Sequence, residues 1–398
     1  SNYGSYYDVL RVQRWRHLCF LSGLVRGGAN SKVDDELVAQ VPKECRPQGG
    51  RLIFQVMRDN KPARMDVLKD GRVMLQGKTV QKSRRNNNFL SVVASWDVHN
   101  GTELFTKNNW LNYGRQYREA FMTKIGDMCM ATGVIRSGKW GAMGEVMPEC
   151  KPEREIILNA NNHDHPVRVD VHPNGTFGSI GGTYKHKWVS LGNMVYPRRP
   201  GKPLVLLNSW RNHKIPASTG AQKGKYRKAS FHRIGNIVML SGLVRPGKGG
   251  HLATLPPDYR PIDRLVFGTN HHTSLTRVDV THEGHVVYVS GMVYDWVVLD
   301  GISFFAIRDD HEDQDQEEAA YDEEERKREG RPVDEDKGRK LTGLGPDPME
   351  KNKIEHDVNK YSAKDEEIKA LKKKLEKLGE ALPKGTHLHS QKPTQQGV

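Results

Sequence analysis

A spacing of about 110 residues constrains this chain more than any single motif. Gly23, Gly133 and Gly242 close the apolar runs "LCFLSGLV", "MCMATGVI" and "IVMLSGLV", at intervals of 110 and 109 residues. Tyr7, Tyr117 and Tyr226 each stand 16 positions ahead of one of those glycines. Proline-bounded turns follow, "PKECRP" at 42–47, "PECKP" at 148–152 and "LATLPPDYRP" at 252–261, and after them come "RMDVLKDG", "RVDVHPNG" and "RVDVTHEG". A closing strand ends each unit, clearest as "KWVSLGNMV" and "DWVVLDGISFF". A sustained period decides the fold before individual residues are weighed, and this one predicts a single unit written three times.

The unit reads as β structure. Its apolar runs are short, rich in Val, Ile, Leu and aromatics, and broken by Gly, Pro, Asn and Asp. Asp70-Gly71 and Asn174-Gly175 are tight-hairpin signals, with Glu283-Gly284 in the third place. The pattern predicts an all-β chain of three tandem antiparallel β-sandwich repeats followed by a charged, largely extended tail with one short helix. The expected boundaries are 1–100 for a degraded first copy, truncated at its N-terminal end, 101–200 for the second and 201–307 for the third. Residues 308–361 read as an acidic and Pro/Gly linker, 362–382 as an amphipathic helix and 383–398 as a disordered C-terminus.

The third copy runs "NSW", "YRKASFHRIGNIVMLSGLVRPGKGGHLATLPPDYRP" and "RVDVTHEGHVVYVSGMVYDWVVLDGISFF". This resembles a β-sandwich module of phage tail-fibre and baseplate proteins. The shared marks are an opening Trp, a Tyr-x-x-Ala strand, a Leu-Pro-x-x-Tyr-Arg-Pro turn, a Val-Asp-Val hairpin and a Trp-x-x-Leu closing strand. It extends over most of 108–196 and, in degraded form, over 1–94. The first two copies depart from it with Cys45 and Cys150 where the third has Tyr259. The resemblance implies a non-catalytic packing, adhesion or glycan-contacting module with no catalytic residues. The charged tail lies outside it and has the character of a eukaryotic structural protein.

Cys19 and Cys129 share one position and Cys45 and Cys150 another, while the third copy has Val238 and Tyr259. Paired presence and paired absence fit a disulfide or two touching thiols within each of the first two copies. The alternative is a recent duplication carrying small buried hydrophobes. No Cys-x-x-Cys spacing suggests zinc. His163 with His165, and His271 with His272, could share a metal, but they read better as exposed loops between strands. Arg64/Asp66, Arg168/Asp170 and Arg277/Asp279 lie two apart on predicted strands. They read as surface ion pairs worth about 0–1 kcal/mol. No nucleophile elbow, zinc-protease motif or phosphate loop occurs, so no enzyme activity and no cofactor is expected.

Charge separates the chain in two. Residues 308–398 hold 24 acidic and 19 basic residues, leaving 43 basic and 24 acidic in residues 1–307, a net of +19. A body of that sign seeks polyanions. The loop "GAQKGKYRK" supplies candidate partner-binding residues Lys223, Lys225, Arg227 and Lys228. In the tail, Ile368, Leu371, Leu375, Leu378 and Leu382 make a 3-4-3-4 apolar stripe ahead of Pro383, a candidate docking seam. Two function classes follow. One is a structural protein whose basic modules bind an acidic protein lattice, with tubulin in cytoskeletal or ciliary microtubules preferred, and whose tail acts as a strap. The other is an extracellular glycan-binding adhesion protein using Trp110, Tyr113, Trp140 and Trp210, with sequons at Asn100 and Asn174. Nucleic acid ranks third, for want of a reader motif. No apolar run reaches the roughly 20 residues of a membrane span. Ser1 is not a native start, so the targeting signal is unreadable.

Overall fold

A computed structural model describes residues 6–26, 35–77, 89–99, 101–163, 165–182, 185–213, 225–271, 273–291 and 295–306. The predicted helix at 362–382 and its apolar stripe lie outside the described residues, as does Lys223. The described chain is all-β, and its paired strands are antiparallel.

The N-terminal strands are β1 (Arg11–Trp15), β2 (Leu18–Arg26), β3 (Asp35–Gln40), β4 (Leu52–Arg58), β5 (Lys61–Val67), β6 (Arg72–Gln76) and β7 (Phe89–Asp97). They form one sheet in the order β1-β2-β7-β4-β5-β6-β3. The middle strands are β8 (Thr102–Glu103), β9 (Phe105–Thr106), β10 (Leu111–Asn112), β11 (Phe121–Ile125), β12 (Met128–Thr132), β13 (Val134–Arg136) and β14 (Ala142–Glu145). They continue with β15 (Ile156–Asn162), β16 (His165–Val171), β17 (Thr176–Gly182), β18 (Trp188–Ser190) and β19 (Met194–Pro197). They divide into sheets β10-β13-β18-β15-β16-β17-β14-β9 and β19-β12-β11-β8. The C-terminal strands are β20 (Lys202–Pro203), β21 (Arg211–Asn212), β22 (Ser230–Ile234), β23 (Ile237–Ser241), β24 (Leu243–Arg245) and β25 (His251–Thr254). After them come β26 (Leu265–His271), β27 (Ser274–Val280), β28 (His285–Ser290), β29 (Val297–Val298) and β30 (Ser303–Phe305).

Each strand group packs around its own apolar cluster. The three clusters draw on residues 19–98, 104–196 and 204–306. The hairpins β4–β5, β15–β16 and β26–β27 have matching registers, pairing Ile53 with Asp66, Ile157 with Asp170 and Val266 with Asp279. Short 3-10 turns at Lys43–Cys45, Pro148–Cys150 and Pro257–Tyr259 carry the proline signals.

Disulfides join Cys19 to Cys45 and Cys129 to Cys150, with Cα atoms 5.7 and 5.8 Å apart. An aromatic from the closing strand seals each one. Trp96 Nε1 donates to the Cys45 carbonyl at 2.9 Å, and Tyr196 Oη donates to the Cys150 carbonyl at 2.8 Å. In the C-terminal group Phe304 takes that place, and Tyr259, at the position of Cys45, packs edge-on against Phe231 at 4.7 Å. Ring contacts fill the space that a cystine fills elsewhere.

The glycine shared by the three groups has a steric cause. Gly133 has φ 109°, and a Cβ there would lie 2.1 Å from the Glu119 carbonyl oxygen; at Gly23 and Gly242 the nearest backbone atoms would be 2.5 and 2.6 Å away. Gly133→Ala is expected to cost about 3 kcal/mol through strain and collision. That should lower the thermal midpoint by several degrees in calorimetry, and an unchanged midpoint contradicts this account.

Candidate functional site

The residues that distinguish this molecule meet where the strand groups touch. Arg64 donates through Nε and Nη2 to both oxygens of Asp66 at 2.7 Å. Arg168 binds Asp170 in the same way at 2.6 Å, and Arg277 binds Asp279 at 2.7 Å. The arginines are 6–8% exposed and the aspartates 0–1%. The expectation of surface ion pairs is therefore corrected. Residues two apart share one face of a strand, but that face is covered by the neighbouring strand group instead of water.

The cover is aromatic and is lent by the next group along the chain. Arg64 lies 5.2 Å from the Trp188 ring and hydrogen-bonds Tyr117. Arg168 lies 5.6 Å from Trp296, and its Nη2 donates to Tyr226 Oη at 3.0 Å. Arg277 lies 5.2 Å from Phe89, and its Nη2 donates to Tyr7 Oη at 3.3 Å. Each tyrosine also forms a parallel backbone bridge to the group it covers, at Arg51, Glu155 and Arg264. The N-terminal pair is thus covered by the middle group, the middle pair by the C-terminal group, and the C-terminal pair by the N-terminal group. The contacts close a circuit. In each case burial opposes the guanidinium charge, and the paired carboxylate outweighs burial, so the guanidinium pKa is raised.

The three nodes differ at one position. Arg51 and Arg264 reach Asp66 and Asp279 as second cations, whereas the middle node has Glu155. Glu155 is held by Lys225 Nζ at 2.9 Å and His172 Nδ1 at 2.8 Å. Burial raises its pKa, but the Lys225 and His172 contacts more than reverse this, leaving it lowered. Asp170 goes the other way. Burial, joined by the facing Glu155 and opposed by Arg168, pushes it up to about 6.

Arg118 and Arg227 clasp the crossings between groups. Arg118 donates to the carbonyls of Asp97 and His99, and Arg227 to those of Pro197 at 2.6 Å and Arg198 at 2.8 Å. Near the centre, Asn161 donates to Gln55 at 2.8 Å, Asn270 donates to Asn159 at 3.2 Å, and Asn193 exchanges two hydrogen bonds with the Gln55 backbone. A cavity of about 40 Å³ beside Gln55, Asn159 and Asp300 has room for about three waters.

Several expected surface residues lie elsewhere. Arg227 is 2% exposed and spent on the backbone, so it is not a partner contact. Lys225 is half-buried on Glu155, and Lys228 is exposed. Trp110 and Trp210 are buried core anchors, because their indole N–H groups find carbonyl partners inside, while Tyr113 and Trp140 are half-buried. His271 is 2% exposed and stacks on Trp296 at 4.5 Å, which corrects its reading as a loop residue. Among the described residues no three His, Cys, Asp or Glu side chains converge as metal ligands. No described helix is long and apolar enough to cross a membrane. Comparisons with protein-family models, curated proteins and solved structures find no match.

Arg277→Ala leaves Asp279 buried without its bidentate partner and uncouples Tyr7. The expected loss is about 3–5 kcal/mol, visible as a drop in thermal midpoint, and a change within error contradicts it. The pH prediction concerns Asp170. Its folded pKa lies above the ordinary 3.8, so its stabilising contribution is fully present below about pH 4 and is lost as pH rises through about 6. Between pH 5 and 6.5 the parent should lose stability relative to Glu155→Gln, which removes one cause of the shift. Parallel profiles for the two proteins contradict this.

Proposed function

We propose that the chain is a non-catalytic structural and interaction protein. In this reading three tandem β-sandwich modules form one basic body that binds an acidic protein lattice, with ciliary or cytoskeletal microtubules the preferred example. The tail acts as a strap to assembly partners. The observation that carries the proposal is the charge partition, a net of +19 over residues 1–307 against −5 beyond. The interior supports it. The aspartates of the buried nodes are each held by a guanidinium group, which suits a rigid building block. Lys228 remains exposed as a candidate contact.

A glycan-binding, exported adhesion protein is the second reading. The two disulfides favour it, since such bonds persist in oxidising compartments. The burial of Trp110 and Trp210 removes half of its proposed aromatic contacts.

Co-sedimentation with purified microtubules tests the first reading, using the full chain and a form ending at Arg308. Both should pellet at low salt, the shorter form less completely. Binding should weaken as the screening length falls from about 10 Å at 0.1 M to about 3 Å at 1 M. Absence of pelleting at low salt, together with saturable and salt-insensitive binding on a glycan array, selects the adhesion reading. Equal pelleting of both forms removes the strap.

A further inference from the structure

Antiparallel strands put successive turns at opposite ends, and the three strand groups share their ends. The turns β1–β2, β11–β12 and β22–β23 meet at one end. A Cβ at Gly235 would lie 2.8 Å from the Trp15 ring there, and one at Gly126 would lie 3.6 Å from Ile234. From that near end β4, β15 and β26 run side by side, with Asn161 bonded to Gln55 and Asn270 to Asn159. Their turns into β5, β16 and β27 lie at the far end. The last residues of β2, β13 and β24 reach the same end. Arg26 pairs with Phe89, whose amide donates to Asp59 at 2.8 Å, and Arg136 pairs with Trp188, whose carbonyl accepts from Asn162. Arg245 follows Val244, which pairs with Val297 beside Trp296, and His271 stacks on that ring.

The two ends differ in charge. Among the described residues, the far end (26–35, 58–61, 76–89, 136–142, 162–165, 182–188, 245–251, 271–274 and 290–297) holds nine Lys or Arg and three Asp. The near end (15–18, 40–52, 67–72, 97–105, 125–128, 145–156, 171–176, 197–203, 234–237, 254–265 and 280–285) holds thirteen Lys or Arg and twelve Asp or Glu. The far-end cations recur from group to group. Arg26, Arg136 and Arg245 close equivalent strands, and Lys139 and Lys248 each follow three residues later. The amides of Lys139 and Lys248 donate to the Asn108 and Asn208 carbonyls at 2.9 and 2.6 Å, which fixes their loops. The Lys187 carbonyl accepts from the Ser137 amide at 2.8 Å, which sets Lys185 and Lys187 beside Arg136. Lys61, Lys139, Lys185, Lys187 and Lys248 are exposed, and none forms an ion pair among the described residues. At the near end Arg72 and Arg198 are paired with Asp70 and Asp127, at 2.8 and 3.4 Å.

We infer that the far end is the face that docks on the acidic lattice, seating Glu- and Asp-rich peptide segments on its lysines. The inference rests on the lattice-binding reading and adds the surface that does the binding. Distance decides that one end acts alone. A seven-residue strand such as β4 is about 23 Å long at about 3.3 Å per residue, against a screening length of about 10 Å at 0.1 M. A lattice at the far end feels that end's excess charge and little of the rest. The kind of cation favours carboxylates. Five of the seven exposed far-end cations are Lys, whose compact ammonium groups act as point charges, whereas phosphate recognition favours the bidentate fork of Arg. The Trp rings at this end are already engaged. Trp140, Trp188 and Trp296 pack on Trp110, Arg64 and Arg168, whereas a binder of single-stranded nucleic acid offers open rings to the bases.

Two variants of the full 398-residue chain test this by co-sedimentation with purified microtubules at low salt. The first reverses the far end with Lys61→Glu, Lys139→Glu, Lys185→Glu, Lys187→Glu and Lys248→Glu. The second makes the same change of net charge at the near end with Lys43→Glu, Lys69→Glu, Lys151→Glu, Arg199→Glu and Lys202→Glu, all at exposed side chains. Each must keep the parent's thermal midpoint, and glutamine at the same positions replaces glutamate in one that does not. Affinity should fall at least about tenfold in the first variant and less than about threefold in the second. Equal losses overturn the inference, because net charge alone then governs binding, and they leave the lattice reading intact. A fluorescent oligoglutamate peptide separates the two claims. If the parent does not pellet with microtubules yet binds this peptide, and the first variant alone loses it, the docking face stands and the lattice reading falls. Binding of neither probe, or tighter binding of an oligo-dT strand at the same face, overturns the inference.

Discussion

A guanidinium–carboxylate pair removed from water needs every remaining polar direction answered, because desolvating two charges costs several kcal/mol per ion. Arg64–Asp66, Arg168–Asp170 and Arg277–Asp279 answer that demand across boundaries, each with a tyrosine and a second ring lent by a neighbouring strand group. None of these groups could bury its own pair alone. The strand groups are joined by mutual solvation of charge, with the apolar contacts of Leu24, Met57, Phe89, Val266 and Leu275 sealing one boundary and Ile157, Leu243, Trp296 and Val298 another.

The middle boundary departs from its two relatives in an instructive way. Where Arg51 and Arg264 bring a cation, Glu155 brings an anion, and Lys225 is drawn out of its loop to balance it. A residue that reads as one of several loop cations becomes part of an internal charge balance. The same holds for Arg227, which clasps the crossing from the middle to the C-terminal group. At the first of these positions stands Asp8, bound to Arg11 at 2.7 Å. Arg118 and Arg227 hold the chain where it passes from one group into the next, whereas Asp8 is paired within its own group.

The all-β character and the sandwich were legible in short branched runs punctuated by Gly and Pro, because strand period and turn chemistry are local properties. The hairpins at Asp70-Gly71 and Asn174-Gly175 were legible from their Asx-Gly pairs, although a two-residue turn asks for positive φ at both residues and only Gly71 and Gly175 have it. The buried nodes were not legible by the same route. Alternation in "RVDV" separates two faces but does not say that both are covered, and both are, since β16 and β27 are buried along nearly their whole length. What covers the second face is set by contacts between residues 53 to 270 positions apart, such as Arg277 with Tyr7. A signal did exist. Tyr7, Tyr117 and Tyr226 recur once per unit, as the Arg-x-Asp pairs do, and residues that recur together are candidates for touching. The burial of Trp110 and Trp210 was missed for a related reason: a tryptophan beside Asn and Lys reads as surface until its indole N–H is seen to have an internal acceptor.

The closure of the circuit through Tyr7 and Arg277 also bears on how the molecule is made. The two partners are separated by 270 residues. At synthesis rates of about 5–20 residues per second, Tyr7 emerges on the order of tens of seconds before the strand it must cover. During that interval the N-terminal strands can pair, but Tyr7 has no Arg277 guanidinium to solvate. The last node is completed only when β27 has been made, so Tyr7 waits for a strand about 270 residues further along the chain. Until then the nascent chain carries an unfinished surface on its N-terminal strand group.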